Sequence, residues 1–336
     1  MHNPPEDQID RAIEILRRGG LVSFPTETVY GLGADATNSA AVKKIFAAKG
    51  RPITNPLIVH TASVSQVRQF VTQWPKSADL LSQKFWPGPL TLVLPKARQI
   101  VPEVTAGLET VAIRCPDHPL ALELLNRFSG PVAAPSANRA TRISPTTADH
   151  VRRELGDKVD LILDGGPCRV GIESTVVDLV SDPPRVLRLG AISRQQLEET
   201  IGPVAEEIHF ATDTRPAQSP GQQTIHYAPI TPAFRIGEAD LEFFPTLHHG
   251  KFGGKGVFVI IRDTELGENL RRLAAPSAMI ELPASPEQYA QRLYAALHEA
   301  DEMTANVIWV QNPPAGAQWD AVRDRVGRAT RRASEA

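Results

Sequence analysis

Apolar positions along the first 200 residues recur with two different periods, and the switches between them mark out the elements. Ile9, Ile13 and Leu16 share one helical face, which predicts a helix over residues 8–18. Gly19-Gly20 ends it, and the apolar run at 21–24 reads as a buried strand. A second helix is expected to take Ser39 as its N-cap, to turn Val42, Ile45 and Phe46 toward a core, and to stop at Gly50 ahead of Pro52. A strand at 56–60 follows. Further strand-length runs at 90–94, 111–114, 132–134, 161–163 and 175–179 alternate with helical or loop segments, the pattern of an α/β domain.

Neither period survives between about residues 201 and 232, where Thr212-Asp213-Thr214-Arg215-Pro216 and Ser219-Pro220-Gly221 read as an inter-domain linker. Beyond it, strands at 256–261, 279–282 and 306–310 and helices at 286–303 and 318–329 predict a second, smaller α/β unit. The domains expected are 1–205, a linker at 206–232, and 233–336.

A length of 336 residues agrees with two domains. Lys and Arg number 36 against 38 Asp and Glu, so the chain lacks the strong positive charge of a dedicated nucleic-acid domain, and any RNA contact is expected to be local. Two cysteines, Cys115 and Cys168, are too few for a disulfide framework and fit buried thiols in a reducing cytoplasm. The first twenty residues carry Glu6, Asp7, Asp10 and Glu14, which is unlike a secretory or transit segment. Apolar runs such as 257–261 fall well short of the about 18 residues that span a bilayer.

Gly31-Leu32-Gly33-Ala34-Asp35-Ala36 matches the loose dinucleotide fingerprint. It lacks the helix that should follow at once and any acid between Ala36 and Ala78 to hold a ribose, so that reading is rejected. A P-loop is absent too, because Gly254-Lys255 has neither the upstream glycine nor a following Ser or Thr. Lys49-Gly50-Arg51-Pro52 projects two cations from a helix end. They either grip phosphate or merely complement the helix dipole, and spacing favours the dipole. Residues 25–31 pack hydroxyls, Glu27 and the Tyr30 phenol into a loop after a strand, either a binding loop or a self-satisfied polar turn. Ser136-Ala137-Asn138 presents a hydroxyl and an amide either to a ligand or as a plain N-cap or Asx turn, and Glu173-Ser174-Thr175 is either a set of binding groups or simply a strand edge. Cys115-Pro116-Asp117-His118 has no partner pair for a zinc site. His248-His249 reads as an exposed loop, and Arg323, Arg325, Arg328, Arg331 and Arg332 as a solvated helix face.

Taken together, these segments resemble the YrdC-type threonylcarbamoyl-AMP synthases in their long form with a C-terminal domain. The resemblance runs over nearly the whole chain through PTETVYGL (25–32), KGRP (49–52), NPLIVH (55–60), FWPGPLTLVL (85–94), 111–116, Ser136 to Asn138, GIESTVVD (171–178) and VLRLG (186–190). The linker SPGQQTIHYAP (219–229) is similar to the family's Pro-Gly…His-Tyr-x-Pro segment, with Gln222 to Ile225 in place of the Met-Lys-Tyr-Arg often found there. Arg139-Ala140-Thr141 likewise stand where the family commonly has x-Ser-Gly.

The resemblance implies a twisted open mixed α/β sheet with flanking helices plus a smaller C-terminal α/β (Rossmann-like) domain. It implies that L-threonine and bicarbonate or CO2 form a carbamate, which attacks the α-phosphate of ATP and expels pyrophosphate for N6-threonylcarbamoyladenosine modification of tRNA. Such in-line transfer needs positioning and charge neutralisation, with no covalent nucleophile. Carried over position by position, Lys49 and Arg51 are the catalytic cations. Lys49, Arg51, Ser136, Asn138, Ser144, Arg188, His226 and Tyr227 surround ATP, with Mg²⁺ held mainly by its phosphates and by no protein metal site. Thr26, Tyr30, His60, Thr110, Arg114 and Ser174 line the threonine and carbamate region. Arg114 is a fork for the carboxylate, His60 or Ser174 meets the hydroxyl, and the linker closes as a lid. The partners implied are ATP, threonine, bicarbonate, downstream tRNA threonylcarbamoyl-transferase proteins and a weak RNA contact, with no membrane. The rival readings are a non-catalytic RNA-binding module and an enzyme passing a carbamoyl adenylate to another acceptor.

Overall fold

The computed structural model describes residues 6–206, 227–274 and 278–336. Their contacts divide the chain into one unit of Met1–Ala140, Ser144–Arg169 and Glu173–Thr224, and another of Thr141–Ile143, Val170–Ile172 and Ile225–Ala336. Most of the expected linker, with His226, lies outside the described residues.

The first unit runs α1 (Glu6–Arg17), β1 (Val22–Phe24), β2 (Gly31–Asp35), α2 (Ser39–Lys49), β3 (Ile58–His60), α3 (Val64–Val67), α4 (Lys76–Phe85), β4 (Leu90–Pro95), α5 (Pro102–Thr105), β5 (Thr110–Arg114), α6 (Pro119–Phe128), β6 (Val132–Ala133), α7 (Ala148–Leu155), β7 (Leu161–Ile162), β8 (Thr175–Asp178), β9 (Arg185–Arg188), α8 (Arg194–Ile201) and β10 (Ala205–Glu206). Its strands form one mixed sheet in the order β10-β9-β8-β4-β5-β3-β6-β2-β1-β7, the open mixed sheet expected. Pairs β1–β2, β2–β6, β3–β6, β4–β5 and β8–β9 are antiparallel.

Strand alternation sorts the core into faces. Leu32, Val59, Leu92, Ile113 and Val177 face one way and pack with Val42 and Ile45 of α2, Leu81 of α4 and Val151 of α7. On the other face α1 and α6 set Ile13, Leu16, Leu120 and Leu124 against Val22, Phe24 and Val132. That second face also carries Ile58, Val93, Ala112, Val176 and Leu187, a buried cluster whose members all come from strands.

Two local readings change. Asn38 rather than Ser39 caps α2, its side chain accepting the Ala41 N–H at 3.1 Å. The Gly-x-Gly stretch is strand β2 itself, and a side chain at Gly33 would strike the Phe24 ring and Val132. Those glycines serve sheet packing.

The second unit contains β11 (Ala233–Ile236), β12 (Gly256–Ile261), α9 (Glu265–Ala274), β13 (Ala278–Leu282), α10 (Pro286–Glu302), β14 (Val307–Gln311), α11 (Asp320–Ala329) and β15 (Arg331–Arg332). Its sheet, β13-β12-β14-β11-β15, is wholly parallel. His248 is not in an exposed loop: it is fully buried, stacked on Phe244 and accepting the Trp309 indole N–H at 3.3 Å. Nor is the Arg-rich end a plain solvated face, because Arg325 and Arg328 are buried around Asp324. The shared Asp324 carboxylate offsets part of the cost of burying them. No helix among the described residues is long and apolar enough to cross a membrane.

Candidate active site

Gly50, at φ 60°, ends α2 in a left-handed turn and frees Lys49 from the helix axis. The Lys49 ammonium is buried and donates to the carbonyl oxygens of Ser136 and Asn138 at 2.5 Å each and to Asn138 Oδ1 at 3.4 Å. It is therefore committed to the loop after β6, where the dipole reading would have left it at the helix end. Burial first, then the neighbouring Arg51 charge, holds its pKa well below the usual lysine range. Arg51, half-buried, donates from Nη2 to the Pro56 carbonyl at 3.1 Å. Leu32 N–H to Pro135 O and Ala137 N–H to Tyr30 O fix the other side of the loop. Lys49, Arg51, Ser136 and Asn138 thus form one group.

A second group stands at the other end of β3. His60 and Arg114 are paired residues of β3 and β5, two positions beyond Ile58 and Ala112 of the apolar cluster. Arg114 is buried and held by three partners: Nε donates to Gly88 O at 3.1 Å, Nη1 to Thr28 Oγ1 at 3.0 Å, and Nη2 ion-pairs with buried Glu27. Burial, then the Arg114 charge, pushes the His60 imidazole down to about 3, so it is neutral at any working pH. Its Nδ1 is buried without a hydrogen-bond partner among the described residues. Ser174 shares a hydrogen bond with Thr91 at 2.8 Å and accepts from Arg188 Nη2 at 3.0 Å, while Arg188 Nε reaches the Ser174 carbonyl. Ser144 donates to Glu173 at 2.6 Å.

Other positions carried over from the resemblance stand differently. Thr26 satisfies its own turn, accepting the Thr28 and Val29 N–H groups and donating to Val29 O. The Tyr30 hydroxyl donates to Gly166 O at 2.8 Å and accepts the Gly165 N–H, and burial raises its pKa. Thr110 shares the face of Ala112 and Arg114 but opens β5, four residues or roughly 13 Å from Arg114 along the strand. Tyr227 is buried in the second unit, with its ring 5.5 Å from Tyr294 and the Arg325 guanidinium 5.3 Å above it. Reasoning from sequence placed Glu27, Thr28 and Glu173 in candidate binding segments without giving them a role, and did not single out Thr91. The available signal was a carboxylate set in a loop between two buried strands, which has to find a cation.

A domain model described as "Telomere recombination" matches residues 14–190, and one described as "Threonylcarbamoyl-AMP synthase, C-terminal domain" matches residues 192–330. The threonylcarbamoyl-AMP synthase of Bacillus subtilis is 41% identical over 325 residues, covering 96% of this chain and 93% of its own. That of Pyrococcus abyssi is 38% identical over 333 residues, covering 97% and 94%. The crystal structure of P. abyssi Sua5 complexed with L-threonine superposes with a TM-score of 0.87 at 37% identity, covering 98% of this chain and 97% of that one. By both of its domains and over nearly its full length, this chain belongs to the threonylcarbamoyl-AMP synthase family.

Proposed function

We propose that the chain condenses L-threonine, bicarbonate or CO2, and ATP into L-threonylcarbamoyladenylate and pyrophosphate. The reading rests most on how the ends of β3 are furnished: Lys49, Arg51 and the Ser136–Asn138 loop stand beside its start, through Arg51 to Pro56 and Ala134 to Ile58, and His60 and Arg114 stand at its end, with Ile58 and Ala112 between and Ser174 held by Arg188. That is the layout needed to hold a triphosphate tail next to a small hydroxylated amino acid. The L-threonine held by the P. abyssi relative supports the same assignment of substrate.

In this reading the threonine carboxylate meets Arg114, and the neutral His60 accepts from, or Ser174 bonds to, its hydroxyl. The neutral amine adds to the carbon of CO2 and loses a proton, or to the carbon of bicarbonate with loss of water, and gives the carbamate in either case. The carbamate oxygen then attacks the α-phosphorus in line, and pyrophosphate leaves with the Mg²⁺ that accompanied ATP as part of the substrate. Lys49 supplies a buried positive charge under the loop, Arg51 a fork for phosphate oxygens, and Arg188, Ser136, Asn138 and Ser144 the remaining nucleotide contacts. His226 and Tyr227 of the linker complete the nucleotide set in this reading, Tyr227 with its ring against Tyr294 and under Arg325. The adenylate is an activated acyl donor, so a transferase that modifies tRNA consumes it, in the cytoplasm.

Incubation with ATP, Mg²⁺, L-threonine and ¹⁴C-bicarbonate tests this. A labelled adenylate that requires threonine is the expected product, and its absence while the protein remains folded overturns the reading.

A further inference from the structure

Glu27 has 1% of its surface exposed, and its carboxylate pairs with Arg114. A carboxylate buried this deeply is costly unless each of its oxygens is engaged. One oxygen ion-pairs with Arg114, and the other accepts the backbone N–H of Asp117 at 3.0 Å, so Glu27 ties the guanidinium to the turn that follows β5. Thr28 takes a second edge of the guanidinium, and its hydroxyl is set by Thr26 at 2.8 Å. Gly88 takes a third. A guanidinium has five N–H donors, so three partners leave donors over for a planar anion, in one orientation only.

We propose that Glu27 is the positioning residue for Arg114 in amino-acid recognition. It fixes the fork toward the substrate carboxylate, and its counter-charge makes a zwitterion, rather than a bare anion, the ligand this pair accepts. A carboxylate on Arg114 lies near the Glu27 charge, and the substrate's own ammonium offsets that repulsion. A deaminated analogue such as 3-hydroxybutyrate has nothing to offset it. The inference rests on the proposed function above.

Steady-state pyrophosphate release tests it. Glu27→Gln is expected to raise the KM for L-threonine about 10- to 100-fold, the loss of one charge-assisted contact, while the KM for ATP stays within about twofold. Inhibition by 3-hydroxybutyrate is expected to strengthen relative to threonine binding, which a merely structural role would not produce. Glu27→Asp is expected to fall between wild type and Glu27→Gln. Because removing one partner of a buried pair can prevent folding, Thr28→Val is the second variant. It keeps the ion pair, and the KM for threonine is expected to rise about fivefold with that for ATP unchanged. An unchanged threonine KM in the folded variants, or equal rises for threonine and ATP, overturns the proposal. Wild-type pyrophosphate release that ignores threonine defeats the reading of the site itself.

Discussion

Lys49 Nζ lies 2.5 Å from the carbonyl oxygens of both Ser136 and Asn138, so the end of α2 and the loop after β6 are held as one piece. Arg51 follows two residues later, past the left-handed Gly50, and is carried on that piece. The charge-neutralising role proposed for Arg51 predicts that Arg51→Ala lowers turnover about 10²- to 10³-fold, the loss of one preorganised donor worth about 2.7 to 4 kcal/mol. The rate of pyrophosphate release checks this, and a near-native rate contradicts it.

His60 links the site to acid stability. Its folded value of about 3 lies below the unfolded value of about 6.5, so the unfolded chain holds the extra proton between those limits. Stability therefore falls as pH drops through that window, by about 1.4 kcal/mol per pH unit from this group. Urea unfolding of wild type and His60→Gln from pH 6.5 to 4.5 should show the shallower slope in the variant. Parallel slopes would remove His60 from the explanation.

Both thiols are expected to be inert in the folded protein. Burial pushes Cys115 up to about 12 and raises Cys168 as well, and the Cys115 Sγ contacts the Ala62 carbonyl at 3.2 Å. Ellman's reagent at pH 8 should label neither cysteine until denaturant is added. Rapid labelling without denaturant would contradict the burial described.

Asn38 caps the helix that delivers Lys49. Asn38→Ala is expected to cost about 1 kcal/mol of stability, read from the urea midpoint, with the KM values for threonine and ATP unchanged. A loss of activity without a loss of stability would mean that the cap acts on the site directly.

Strands with continuous apolar runs and helices with a clear 3.6-residue face were legible in the sequence: Leu90–Pro95, Gly256–Ile261 and Pro286–Glu302 fall within a residue or two of expectation. Strand β2 was not, because two glycines in five residues look like a turn. Only the Phe24 ring crossing above Gly33 shows why they are needed. His248 and Arg325 misled for a related reason, since a polar residue is read as exposed until the ring or carboxylate that buries it is seen, and both partners are distant or ambiguous in sequence. Motif order singled out the Lys49, Ser136 and Arg114 segments as candidates, but not the contacts their side chains make. The Lys49 ammonium reaches 87 residues along the chain to Ser136, and Arg114 finds Glu27 across a comparable gap. No local period encodes such contacts.

The central claim is that the first unit joins threonine, a one-carbon acid and ATP in a single condensation. Pyrophosphate release measured with ATP, Mg²⁺, bicarbonate and L-threonine, omitting each in turn, tests it most directly. The account predicts release only from the complete mixture, and release that persists without threonine or without bicarbonate would contradict it.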